Sequence, residues 1–381
     1  MIRSLFAAGA SVLALTLATP VLAQDHAGHG DAAKPAAEPA LPTMSFGTWG
    51  FDPEAISPEI KPGDDFFAYA NKKWLDANPL SPEFSRFGAF NLLREKSTAD
   101  VKALVDELVA KDGSLSPDEQ RIVDAYKAYE NTAAIDAAGM IHAQPYLDRI
   151  AEAKTLTDLV TLWSTPGYPS PLGGFVTVDA KEPERYSVYV ASGGMGMPDR
   201  DYYLDDSEKG RGIQEKYREY LTLLLREAGY AGSDTMAASV YAFEDTIART
   251  IAWDRAVRRN RDLTYNRLTP AELAAQAGDF PLATMLKTSG FDTTDRFVVY
   301  DLPPSDARAQ ELGLDEATRA KIGAGTPGMM ALIAKTPIQV LKAWTMAEFL
   351  SDNAAVLPSA IDQANFDFYG RTLTGTPEQR A

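Results

Sequence analysis

Apolar residues recur at intervals of three and four positions along most of the chain, which is the spacing of an amphipathic α-helix. Five stretches show this spacing and are predicted to be helical: residues 92–108, 122–129, 213–228, 236–257 and 337–357. Their apolar faces predict a packed core more readily than a cofactor site, because core packing is the usual use of such stripes.

Two short segments predict where helices begin. Residues 116–119 read SPDE and residues 269–272 read TPAE. Each places a hydroxyl residue at the cap, proline in the first turn and an acid near the positive end of the helix. We therefore predict helix starts at both places.

One region departs from the helical spacing. Residues 175–178 (FVTV) and 186–190 (YSVYV) are β-branched and aromatic, and a polar turn at 181–184 joins them, which predicts a β-hairpin. A glycine-rich loop follows at 193–198, GGMGMP, but it completes neither known phosphate-binding pattern. The fold class predicted from these patterns is mainly α, a multi-helix unit with one small hairpin.

The first 23 residues predict a signal peptide. Arg3 supplies the positive charge, residues 5–19 form an uncharged apolar run, and Val21-Leu22-Ala23 offers small residues for cleavage after Ala23. The apolar run is broken by Pro20 and is too short for a membrane-spanning helix. We expect a secreted or periplasmic product with no membrane span after cleavage.

Residues 24–45 are rich in Ala, Pro, Gly and His and predict a disordered linker. His26 and His29 lie in this stretch with a spacing that can recruit a metal ion, but two ligands on a flexible tail make a weak site. A solvated linker is the favoured interpretation, and delivery of metal by this pair is the alternative.

The charge and the composition of the chain disfavour several classes of function. The 381 residues carry 37 Lys and Arg against 53 Asp and Glu, a formal charge of −16 that disfavours nucleic acid as a partner. Cysteine is absent, which excludes disulfides, thiolate metal sites and cysteine nucleophiles.

The chain shows no complete active site of its own. It contains neither the His-Glu-x-x-His motif of zinc hydrolases nor the Gly-x-Ser-x-Gly motif of serine hydrolases. His142 is the one histidine outside the tail, and a packed or surface role suits it better than catalysis. No residue is assigned as catalytic or as a metal ligand.

Several co-linear motifs resemble the neprilysin family of zinc metalloendopeptidases, which includes the endothelin-converting enzymes, and indicate a bacterial member. They begin with PGDDFFAYANKKWL at 62–75 and SRFGAFNLLR at 85–94. The others are MPDRDYY at 197–203, YNRLT at 265–269, NFDFYG at 365–370 and LTGTPE at 373–378. Motifs that recur in order are more specific than any one of them.

The resemblance implies a two-lobed, mostly helical peptidase that encloses a chamber for oligopeptides. Residues 46–100 would contribute to its catalytic lobe and residues 101–381 would form the helical cap lobe. The aromatic residues Phe66, Phe67, Tyr69 and Trp74 are expected to be core.

The family's zinc motif lies beyond the segment that residues 373–378 resemble. The chain is therefore expected to be an N-terminal portion that ends before the zinc-binding half, its missing partner. Zinc would be the cofactor of the complete enzyme, and this portion alone would be inactive.

The resemblance also carries two substrate-binding residues onto this sequence. Arg86 matches the family arginine that holds the C-terminal side of the substrate, and Arg94 matches a second arginine nearby. A planar guanidinium suits this role because it binds a carboxylate through two parallel hydrogen bonds and stays charged. From the residues alone, both would be surface ion-pair partners.

Two other functions remain open at this point. The chain could be a non-catalytic periplasmic protein that binds peptides through Arg86, or a helical scaffold without a ligand. A lobe that normally packs on another would expose a large apolar patch when alone, which weighs against the first alternative.

Overall fold

The computed structural model describes residues 56–380 apart from residue 112. These residues form two compact units, one ending at Ser81 and the other beginning at Pro82. The signal peptide predicted over 1–23 and the linker over 24–45, with His26 and His29, lie outside the described residues. The assignment of residues 46–100 and 101–381 to different lobes stays a prediction. Helix α2, Ala89–Ala110, runs unbroken across the predicted boundary at position 100.

Helices dominate the described chain, as the sequence predicts. The α-helices are α1 Phe66–Ala77, α2 Ala89–Ala110, α3 Pro117–Glu130, α4 Thr132–Ala138, α5 Gln144–Glu152, α6 Leu156–Trp163, α7 Asp201–Leu204, α8 Glu208–Glu227, α9 Ser233–Thr246, α10 Arg255–Arg258, α11 Pro270–Gln276, α12 Leu282–Thr288, α13 Asp306–Glu311, α14 Glu316–Arg319, α15 Gly325–Lys335, α16 Ile338–Asp352 and α17 Ser359–Asn365. Two π-helical segments, Ile247–Ile251 and Phe366–Thr374, and a 3₁₀ turn at Ala354–Val356 complete them. No helix among these residues has the length and apolar character to cross a membrane.

The two predicted helix starts are confirmed. Ser116 caps α3: its hydroxyl accepts from the Glu119 amide at 3.3 Å, and the Glu119 carboxylate accepts from the Ser116 amide at 2.7 Å. Thr269 and Glu272 form the same reciprocal pair at the start of α11. Each pair satisfies two amides that the first helical turn would otherwise leave without partners.

The single helix predicted over 236–257 is wrong. Helix α9 ends at Thr246, a π-helical turn follows, and Ala252 has an extended backbone with ψ of 137°. Asp254 then caps α10 by accepting from the Ala256 amide at 2.8 Å. The Trp253 indole, buried beside this break, donates to the Gly323 carbonyl at 3.0 Å, so packing against a distant loop overrides the helical spacing.

The predicted hairpin is confirmed as β1 Leu172–Val178 and β2 Tyr186–Ser192. It belongs to a larger sheet than expected, because β3 Asn266–Leu268 and β4 Phe297–Val299 extend it in the order β1-β2-β4-β3. Strand β2 is parallel to β4, and the other two pairings are antiparallel.

The buried interior lies mainly between α8, α9 and α16 and the inner strands of this sheet. Trp163 and Trp344 meet edge to face with ring centroids 6.3 Å apart. The Trp163 indole donates to the Thr345 hydroxyl at 2.9 Å, so the buried polar atom of this ring is satisfied.

Asp179 fixes the turn of the hairpin to the rest of the sheet. Its fully buried carboxylate accepts from the Ser187 and Tyr265 hydroxyls, each at 2.7 Å, and from two backbone amides of the turn. The guanidinium of Arg296 lies 3.8 Å away. Burial by itself would raise the pKa of Asp179, but these hydrogen bonds hold it well below the ordinary value.

We expect Asp179→Ala to lower the free energy of unfolding by about 3–5 kcal/mol, because it leaves buried donors and Arg296 without their acceptor. Urea unfolding at pH 7 followed by tryptophan fluorescence measures this change. The matched control is Asp295→Ala, which removes an exposed carboxylate 3.7 Å from Arg185 and should cost less than about 0.5 kcal/mol. Equal losses in the two variants would contradict a structural role for the buried carboxylate.

Candidate functional site

Arg86 and Arg94 lie on one continuous segment, a loop from Pro82 to Gly88 and the first turns of α2. The helix begins at Ala89, and the Gly88 amide donates to the Asn91 side chain at 3.1 Å. Both arginines are exposed, and neither has an acidic partner within 4.0 Å among residues 56–380, apart from 112. The surface ion pairs that the residue types alone suggest are therefore not formed in the described chain.

The segment that carries the two arginines is held by residues near 380. The Glu378 amide donates to the Pro82 carbonyl at 3.2 Å, and Arg380 forms an ion pair with Glu95 on α2. The Arg380 guanidinium also lies 5.7 Å from the centre of the Phe84 ring. These contacts fix the loop on both sides of Arg86, which favours a defined position for its backbone.

One atom in this region lacks a partner. Glu95 Oε1 is buried and has no hydrogen-bond donor among the described residues, while Oε2 is paired with Arg380. A buried carboxylate oxygen without a donor is costly, since such atoms are nearly always hydrogen bonded.

The prediction of buried apolar faces is wrong for α1 and α2. Neither helix has a fully buried residue, although α2 is 22 residues long. Phe66 and Phe67 of α1 are 70% and 65% exposed, and Phe90 of α2 is 88% exposed. Helical spacing identified the α2 helix correctly, but its contact with α3 leaves Leu104 54% exposed.

The described residues do not supply a zinc site. No group of three or more His, Cys, Asp or Glu side chains placed to hold a metal ion exists within 56–380, apart from residue 112. His142 is exposed, so of the packed and surface roles predicted for it the structure favours the surface role. This part of the chain therefore does not fit a resident zinc ion, and we derive no chemical step through one.

The sequence analysis missed a buried cluster at which two of the motifs meet. Tyr203, from the segment 197–203, donates to the Glu244 carboxylate at 2.7 Å, and Tyr217 donates to it at 3.1 Å. Tyr369, from the segment 365–370, donates to the Gly196 carbonyl at 2.8 Å. Burial raises the pKa of Glu244 to about 7, although the tyrosines and the Gly196 amide oppose the rise.

Glu348 is the second carboxyl of this cluster. Its position on α16 lies between Ala347 and Phe349, both buried. Burial and then the nearby Glu244 raise the pKa of Glu348 well above the ordinary value. An acid inside an apolar helical stripe is the one sequence signal that could have revealed the cluster, and it is a weak one in a chain with 53 acids.

We expect Glu348→Gln to remove a pH-dependent loss of stability. Because folding raises the pKa of Glu348, the folded chain holds a proton that the unfolded chain releases, so the free energy of unfolding falls as the pH rises above 4.5. The variant should match the wild type near pH 5 and be the more stable protein at pH 8.

Chemical unfolding at both pH values measures this difference, and Glu107→Gln, at an exposed position of α2, is the control. If the wild type and Glu348→Gln differed by the same amount at pH 5 and pH 8, the raised pKa would be refuted.

Comparison with known proteins gives consistent matches along the chain. Residues 62–381 match the family model described as peptidase family M13. Endothelin-converting enzyme 1 of Cavia porcellus is 27% identical over 266 residues, which cover 65% of this chain and 34% of that protein. The human membrane metallo-endopeptidase-like 1 is 24% identical over 249 residues, 58% of this chain and 31% of that protein.

A solved structure supports the same relationship. The zinc metalloprotease Zmp1 of Mycobacterium tuberculosis superposes with a TM-score of 0.73 at 25% identity, over 87% of this chain and 48% of that chain. This chain thus spans about a third of the length of the curated relatives that it matches and about half of the Zmp1 structure. The mainly helical fold and the resemblance expected from the motifs are confirmed, and the chain belongs to peptidase family M13.

Proposed function

We propose that this chain is the N-terminal portion of a secreted or periplasmic zinc metalloendopeptidase that hydrolyses oligopeptides. Family membership supports the proteolytic reaction, and the zinc ion and its ligands would belong to the part of the relatives' length that this sequence does not span. The role of residues 82–95 would be to bind the substrate. Residues 1–23 would direct export and would then be cleaved after Ala23.

This proposal rests on the exposure of Arg86 and on the absence of an acidic partner for it among the described residues. Its guanidinium is exposed and has no acidic partner among the described residues, whereas its backbone lies in a loop anchored through Phe84 and Pro82. An unpaired guanidinium on an anchored loop is suited to a planar anion, because it offers two parallel donors without first breaking an ion pair. The carboxylate at the C-terminal side of a peptide is such an anion.

Arg94 would assist from the first turns of α2. It is also exposed without an acidic partner in the described chain, and its helix is tied to Arg380 through the neighbouring Glu95. Two positive charges on one segment would favour an anionic or carbonyl-rich part of the substrate. We propose Arg86 as the main contact and Arg94 as the weaker one.

The exposed apolar face of α2 supports the existence of a covering half. Phe90, Val101 and Leu104 are all more than half exposed, and apolar surface of this kind on one long helix commonly marks an interface. We propose that the zinc-binding half covers this face. Substrate would then be held between Arg86 and the groups of that half.

Arg86→Ala in the natural full-length protein should lower kcat/KM by about 30-fold to several thousand-fold for peptides with a free C-terminal carboxylate, if the charge pair is desolvated. Peptides with an amidated C-terminus should lose much less, because they lack the anion that Arg86 binds. Steady-state hydrolysis of matched free-acid and amide peptides measures both effects.

The control for this prediction is Arg121→Ala, at an exposed arginine paired with Asp118 on α3. It should leave both substrates unaffected. Equal losses for the free-acid and amide peptides in Arg86→Ala would show that Arg86 does not bind the carboxylate.

The protein isolated from its native extract should have an intact mass well above 41.3 kDa and contain one zinc ion per chain. It should hydrolyse oligopeptides, and a chelator should abolish that activity. A mass just under 41.3 kDa without zinc would overturn the proposal, and peptide binding without hydrolysis by that chain would favour a non-catalytic binding protein.

A further inference from the structure

Residues 376–380 follow the second π-helical segment and are hydrogen bonded back to it. The Thr376 amide donates to the Gly370 carbonyl at 3.0 Å, and the Arg371 guanidinium donates to the Pro377 carbonyl at 3.0 Å. The π-helical segment itself packs on α8 and α17. The path of residues 376–380 is therefore set by helices of the interior.

The same residues contact the Arg86 loop (residues 82–88) and the helix that follows it. The Glu378 amide donates to the carbonyl of Pro82, which precedes Arg86. Arg380 forms an ion pair with Glu95 on α2, which follows Arg86. The Arg86 loop is thus attached to one segment on both of its sides.

Two aromatic side chains flank Arg86 and pack on each other. The Phe84 and Phe87 rings meet edge to face with centroids 5.1 Å apart, and both residues are half-buried. Arg86, which lies between them in the sequence, is exposed. The aromatic contact therefore gives the loop a small apolar base and leaves Arg86 in solvent.

Arg380 joins this aromatic pair to α2. Its guanidinium lies 5.7 Å from the centre of the Phe84 ring and pairs with the Glu95 carboxylate. The Arg380 and Glu95 side chains are 40% and 29% exposed, so solvent screens the pair only in part. A guanidinium suits both contacts, because its flat face can lie on a ring while its edge donates to a carboxylate.

Neither member of this ion pair has a second partner of opposite charge in the described chain. Within residues 56–380, apart from 112, no other acid lies within 4.0 Å of Arg380 and no other base lies within 4.0 Å of Glu95. Glu95 Oε1 already lacks a donor there. Loss of Arg380 would leave the carboxylate unpaired and remove the cation from Phe84, so both attachments would weaken together.

We propose that Arg380 is a positioning residue for Arg86, because it holds the Arg86 loop in the orientation that presents this guanidinium to the C-terminal carboxylate of a peptide. It acts through its contacts with Phe84 and Glu95. The proposal rests on the substrate-binding role proposed for Arg86 and adds a residue that does not touch the substrate. A loop that is already ordered binds more tightly than one that binding must order.

Direct binding of the substrate by Arg380 is the competing role. Arg380 would have to give up its pair with Glu95 before it could bind another anion, whereas Arg86 has no such pair to give up among the described residues. Positioning is therefore the favoured role, and the experiment separates the two.

The test measures hydrolysis of matched free-acid and amidated peptides by the natural full-length protein. Arg380→Gln should lower kcat/KM for the free-acid peptide about tenfold, mainly through KM, and should change hydrolysis of the amide by about twofold or less. Arg380→Lys keeps a charge beside Glu95 and should lose less than Arg380→Gln. The matched control is Arg308→Gln, which removes a pair with Glu311 at a side chain that is 39% exposed and should affect neither substrate.

A double variant distinguishes positioning from direct binding. If Arg380 acts through Arg86, Arg380→Gln should cause no further loss of the free-acid preference in a protein that already carries Arg86→Ala. Additive losses would show that Arg380 binds the substrate itself, and they would overturn the proposal.

Limited proteolysis measures the order of the loop in the absence of a peptide substrate. Chymotrypsin cleaves after aromatic residues, so cuts after Phe84 and Phe87 report the opening of the Arg86 loop. These cuts should be about tenfold faster in Arg380→Gln than in the wild type or in Arg308→Gln. Equal rates in Arg380→Gln and the wild type would contradict a positioning role.

Failure of the positioning role and failure of the proposed function give different results. If Arg86→Ala loses the free-acid preference and Arg380→Gln keeps it, Arg86 binds the carboxylate but Arg380 does not position it. If Arg86→Ala itself keeps the preference, the substrate-binding role of Arg86 fails and the positioning proposal fails with it.

Discussion

The interior of the helical unit depends on the absence of a side chain at residue 196. A Cβ atom there would lie 1.9 Å from the Tyr217 hydroxyl and 2.9 Å from Glu348 Oε1, distances that no real carbon tolerates. Because Gly196 leaves this space, α8 and α16 approach the loop 193–198, and Tyr369 reaches its carbonyl. The glycine-rich loop is therefore a packing surface for helices distant in sequence.

Features set by local hydrogen bonds were predictable from the sequence. Ser116 and Glu119 satisfy each other within one turn, so the start of α3 needs no information from elsewhere. Strands β3 and β4 were not predictable, because each has three residues and is held by partners far away, such as Val190 beside Val299. The break at Ala252 was missed for the same reason, since a loop near Gly323 determines the position of Trp253.

The candidate binding segment could be predicted from the sequence only in part. Motif resemblance alone identified Arg86 and Arg94, and the exposed segment on which they lie agrees with a binding role without testing it. Periodicity identified α2 but could not show whether another element covers it.

The hydrogen bond between the Glu378 amide and the Pro82 carbonyl joins two segments that lie far apart in the sequence. Such a contact closes a long loop, and loop closure costs conformational entropy that short-range contacts do not. The position of the Arg86 loop therefore depends on completion of the fold and not on its local sequence.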